Sequence, residues 1–130
     1  MPSFRAWQAA AAAWAGTILV TGMLPTQGAV AMISDGHDDL ATVLGHFASY
    51  ALLGFLLGVA LGGWRTKRDR VILTLALAAG IGGVVELVQM PLPYRDGQVV
   101  DVVVNIAGAA VGLGAVSVVE PARRPRSRRG

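Results

Sequence analysis

Cysteine is absent from this chain, which excludes disulfides and thiolate metal ligands. Histidine occurs only twice, too few for a histidine-rich metal site. Charge is scarce as well: Asp, Glu, Lys and Arg make up 15% of the residues, against about 25% in an ordinary soluble domain. No His-Glu-x-x-His motif is present, and no serine has a recognisable nucleophile setting. The long apolar stretches also lack the polar face that every helix of a soluble bundle carries. At 130 residues the chain has room for one domain.

What it does contain is apolar surface and glycine. Hydrophobic residues make up 54%, and 17 glycines come in addition. Four charge-poor stretches stand out, Trp7–Leu24, Ala41–Trp64, Val71–Met90 and Val99–Val119, each between 18 and 24 residues long. Roughly 20 such residues are needed for a helix to cross the hydrocarbon layer. Helices are the expected element because lipid offers no water to an open backbone. The sequence therefore predicts an all-α polytopic membrane protein, a compact bundle of four transmembrane helices. Residues 1–120 form a single transmembrane domain and residues 121–130 a basic tail without fixed structure. Ala29-Val30-Ala31 resembles a signal-peptidase site. The apolar core before it exceeds the roughly 7–15 residues of a signal peptide, so the first helix is read as retained.

The few charges are ordered by position. Arg5 precedes the first stretch; Arg65, Lys67, Arg68 and Arg70 fill the connection between the second and third; Arg123, Arg124, Arg126, Arg128 and Arg129 follow the fourth. Four crossings put ten of the eleven basic residues on one side and leave Arg95 alone on the other. By the positive-inside rule both termini are cytoplasmic. The net charge of +3 is then a matter of topology, and the tail is a contact for anionic lipid. Nucleic acid is not an expected partner, since no aromatic residues interleave the arginines. Asp35, Asp38, Asp39 and Asp96 fall in outer connections, with Asp38 or Asp39 expected to cap the second helix.

Small residues mark packing faces. Gly54, Gly58 and Gly62 recur every four residues in the second stretch, Gly108 and Gly112 share that spacing in the fourth, and Gly80, Gly82 and Gly83 sit in the third. Such ridges let helices approach closely, either inside one bundle or between two copies as a homodimer.

Polar residues gather at the outer ends. His46 and Tyr50 share a face of the second helix, Glu86 and Gln89 lie near the end of the third, and Asp101 and Asn105 lie near the start of the fourth. Arg95 sits between the last two pairs in sequence. Ionisable groups inside apolar spans normally face the bundle interior or a water-filled recess, so these residues point to an outward polar recess. A carboxylate, Glu86 or Asp101, is the expected partner of His46. A network that only fixes helix packing is the alternative reading.

The pattern His46-x3-Tyr50, Glu86-x2-Gln89, Arg95, Asp101-x3-Asn105-x2-Gly108-x3-Gly112 resembles the VanZ-like family of small bacterial membrane proteins. The resemblance runs from about Thr42 to Gly112. Family members often carry Asp-Lys four and three residues before the histidine, where this chain has Thr42 and Val43. The resemblance implies a multi-pass protein of the bacterial cytoplasmic membrane, a cell-envelope role and a link to glycopeptide antibiotic resistance. The leading expectation is an outer recess that binds a polar lipid, a cell-envelope precursor or an amphiphilic antibiotic, with Tyr50, Gln89, Arg95 and Asn105 holding the ligand. One alternative is a small membrane enzyme acting on a lipid headgroup, with His46, Glu86 and Asp101 as its acid–base groups. Another is a structural subunit of an envelope complex. No cofactor is expected; a divalent ion on His46, Glu86 and Asp101 is the weaker variant of the enzyme reading.

Overall fold

The computed structural model describes residues 3–24, 38–63, 66–91 and 99–119. They form four helices, α1 (Phe4–Met23), α2 (Asp38–Ala60), α3 (Lys67–Gln89) and α4 (Val99–Val119). Each begins and ends for a local reason. Ser3 caps α1, its hydroxyl accepting from the Ala6 amide at 3.3 Å. Thr66 caps α3 in the same way, accepting from the Asp69 amide at 3.0 Å, and Asp69 itself favours the positive helix start. These caps carry α1 and α3 three or four residues further into polar sequence than hydropathy alone suggests. The second helix begins at Asp38, so Asp38 and Asp39 are its first two residues rather than a cap outside it. It stops at Ala60 instead of continuing to Trp64: Gly62 bonds back to the Val59 carbonyl in a tightened turn. Pro91, which cannot continue a helical bond pattern, follows the end of α3.

Three helices are long and apolar enough to cross a membrane: Leu40–Ala60, Lys67–Gln89 and Val100–Val119. The fourth, α1, has the length but is less apolar. Its first half is Arg5, Gln8 and a run of five alanines, and Thr17 and Thr21 follow. Both threonine hydroxyls bond back to carbonyls one turn earlier, at 3.0 and 2.8 Å.

Packing is tightest between α2 and α4. Gly108 lies on the Phe47 carbonyl, Gly112 on the Ala51 carbonyl, and Gly54 on the Ala109 carbonyl, each so close that a Cβ would collide with backbone. Gly58 meets the side chains of Leu113 and Val116. These contacts advance together along both helices, so α2 and α4 run parallel. Both glycine ridges are thus spent on each other within one chain. Gly62 lies beyond the helix, and Gly80 and Gly83 of α3 meet nothing within 4 Å.

Helix α1 packs antiparallel along α2. The Trp7 and Phe55 rings meet edge to face at 6.3 Å, and Trp14 Nε1 donates to the Ser49 carbonyl at 2.9 Å. Tyr50, Leu53, Ala78, Val85, Ala109 and Ile18 form the core between the four helices. Outside it the bundle exposes Leu40, Leu44, Leu52, Ile72, Leu87, Val103 and Val111, among others. In water so much exposed apolar surface would promote aggregation; in a bilayer it is the surface that contacts lipid.

Candidate functional site

Alternating helix directions bring the start of α2, the end of α3, the start of α4 and the end of α1 to one end of the bundle, called here the polar end. Arg5, Lys67, Arg68 and Arg70 lie at the other, the basic end. Arg70 reaches across there to the Gly58 carbonyl at 3.4 Å, satisfying one of the open carbonyls at the C-terminus of α2.

At the polar end His46 of α2 meets Asn105 of α4, Nδ1 to Oδ1 at 3.1 Å. The amide oxygen can only accept, so Nδ1 donates. The expected carboxylate partner is therefore replaced by an amide. Register explains it: with Gly108 against Phe47 and Gly112 against Ala51, position 105 falls level with His46, while Asp101 lies a turn nearer the helix start, partly exposed. Asn105 is 1% exposed and its Nδ2 has no hydrogen-bond partner in the protein.

Tyr50, one turn after His46, is also 1% exposed, and its hydroxyl is likewise without a partner. Tyr50 Oη and Asn105 Nδ2 converge over Gly82 of α3: a Cβ built there would lie 3.4 Å from the first and 3.3 Å from the second. The absence of a side chain at Gly82 leaves room for both groups against α3. Glu86, one turn further along α3, is half-buried and within electrostatic reach of Tyr50. Gln89 is buried, and its amide donates to the Gly22 carbonyl at 2.8 Å. That carbonyl is one of the last four of α1, so Gln89 ties the first helix to the polar end.

The structure thus brings His46, Tyr50 and Asn105 together, sets Glu86 beside them, and turns Gln89 toward α1. Arg95, Asp35, Asp96, the Ala29-Val30-Ala31 segment and the basic tail lie outside the described residues. Among the described residues no three His, Asp or Glu side chains form a metal-binding group, so the His46, Glu86 and Asp101 ion site is not assembled here. Sequence reasoning took Gly82 only as a packing glycine and missed Gly22. One is a glycine among three on its helix, the other contributes only backbone, and neither has a signal in isolation.

Parallel and antiparallel apolar helices around a small buried polar cluster define a small polytopic helical membrane protein. The chain belongs to the VanZ/LLP1 family, whose model matches residues 4–120. That match takes in α1, which the residue pattern from Thr42 to Gly112 leaves out. No curated protein and no solved structure matches the chain.

Proposed function

We propose that this protein captures the polar headgroup of a membrane-borne ligand at its polar end. The observation that carries this reading is the pair of orphan groups over Gly82. Tyr50 Oη and Asn105 Nδ2 are buried, adjacent and unpartnered. Leaving a buried polar group unsatisfied costs about 1–3 kcal/mol, and more where no water reaches it. Two such groups side by side form a ready pair of donors for one acceptor oxygen of a phosphate, carboxylate or sugar. Arg95, between α3 and α4 in sequence, is the residue this reading assigns as a charge-assisted partner for an anionic headgroup. The His46–Asn105 bond holds the asparagine so that Oδ1 is engaged and Nδ2 is left for the ligand.

Ligands of this description are a polar lipid, a lipid-linked cell-envelope precursor, or an amphiphilic antibiotic such as a glycopeptide. In this reading all four helices cross the bacterial cytoplasmic membrane, the basic end and both termini face the cytoplasm, and the polar end faces outward. The basic tail then meets anionic lipid. Capture is favoured over acid–base catalysis because His46 is paired with an amide and not with a carboxylate.

Native mass spectrometry of the detergent-purified protein tests this directly. Wild type is expected to retain a phosphate- or sugar-bearing lipid. Tyr50→Phe and Arg95→Ala are each expected to lose most of that occupancy. Unchanged lipid identity and occupancy in both variants would overturn headgroup capture.

A further inference from the structure

We infer a second lipid site, in the basic half of the bundle, that takes one acyl chain of an anionic glycerophospholipid. An open groove of about 210 Å³ runs between three helices, lined by Ala11, Ala12 and Ala15 of α1, Leu57 of α2, and Leu77 and Ile81 of α3. The groove exists because Ala11, Ala12 and Ala15 give this face of α1 side chains too short to fill the space between itself and its neighbours. Its walls are almost wholly apolar; Gln8 is the one polar residue, at the end nearest the start of α1. Such a volume is below the roughly 300–1,000 Å³ of a small-molecule pocket and suits a length of chain rather than a headgroup.

Charge identifies the occupant. Arg5 lies three residues before Gln8 and seven before Ala12, so it continues the groove's stripe along α1 to the basic end, where it is exposed. Lys67 is exposed at the first turn of α3, the other long wall. From Arg5 to Ala15 the helix rises roughly 15 Å, which is half the hydrocarbon thickness of a bilayer. A lipid in that leaflet would lay its chain along the alanines while its phosphate meets Arg5 and Lys67 and its glycerol ester meets Gln8. This site needs the bundle to lie in the bilayer but takes nothing from the polar end.

The test uses the full chain in vesicles, in a Trp64→Phe background so that only Trp7 and Trp14 of α1 report. Brominated phosphatidylglycerol and brominated phosphatidylcholine are titrated as fluorescence quenchers. Each basic contact near the surface is worth about 1 kcal/mol, so with Arg5 and Lys67 half-quenching is expected at an about thirty-fold lower fraction of the anionic lipid. Arg5→Gln is expected to weaken that preference about five-fold, and the double change Ala12→Leu with Ala15→Leu to abolish it. Arg5 and Ala12 are exposed, and Ala15 is partly buried at the edge of the core. Equal quenching by the two lipids in the unmodified groove would overturn the site. Persistence of the preference with the groove filled would also overturn it, since attraction to the basic end in general would then suffice. None of these variants touches Tyr50, Asn105 or Arg95, so failure here leaves headgroup capture standing.

Discussion

Tyr50 and Thr74 pose the same problem in different settings. Both are essentially unexposed, and both hydroxyls lack a partner within the protein. Thr74 stands alone on α3, whereas Tyr50 stands beside a second orphan donor, Asn105 Nδ2. Under the headgroup-capture proposal, only the second arrangement serves as a receptor for a ligand oxygen. Thr74→Val is therefore expected to raise stability in detergent by about 1 kcal/mol and to leave lipid retention unchanged. Tyr50→Phe is expected to be neutral or stabilising as well, yet to lose the retained lipid. Chemical unfolding paired with mass spectrometry separates the two effects. A Tyr50→Phe protein destabilised as by a lost hydrogen bond would mean that the hydroxyl already has a partner inside the protein. The presence of a polar cluster was legible in the sequence, because i, i+3 and i, i+4 spacing fixes which residues share a helix face. Which residue His46 bonds was not legible. That choice depends on the register of α4 against α2, and a sliding of one turn would have offered Asp101 in place of Asn105.

At the scale of the helices, glycine decides the architecture. The ridge of Gly54 and Gly58 meets that of Gly108 and Gly112, and three of the four glycines lie directly against a carbonyl of the opposite helix. A methyl group at Gly112 cannot be absorbed by a side-chain shift, because what it meets is the Ala51 backbone. Gly112→Ala is expected to cost about 1–3 kcal/mol through separation of the two helices. Gly80→Ala, in open space, is expected to gain up to about 1 kcal/mol from helix propensity. Unfolding curves of the two variants should move in opposite directions; equal shifts would mean that the ridge does not set the packing. The ridges themselves were visible from their four-residue spacing. Their partners were not, since the same spacing serves packing within a chain and between chains. The first helix was the least legible element: its hydropathy is diluted by alanine, Gln8 and two threonines. Its attachment relies on Trp14 to the Ser49 carbonyl and Gln89 to the Gly22 carbonyl, two bonds to backbone that no sequence pattern marks.

For the whole molecule the decisive feature is polarity from end to end. Arg5, Lys67, Arg68 and Arg70 stand at one end; His46, Glu86, Gln89 and Asn105 stand at the other. Each end also closes an open helix terminus with a side chain from α3, Arg70 onto Gly58 and Gln89 onto Gly22. In lipid, where no water satisfies a free carbonyl, both closures matter more than they would in a soluble bundle. Headgroup capture at the polar end and chain binding in the basic half both require that the two ends lie on opposite faces of one membrane. The absence of native cysteine makes this directly measurable. Single variants Thr66→Cys and Gln98→Cys can be labelled with a membrane-impermeant maleimide in intact cells and again after permeabilisation. We expect Gln98→Cys to label in intact cells and Thr66→Cys only once the membrane is opened. Labelling of both from the same side would contradict the four-crossing arrangement and, with it, the outward placement of the polar end.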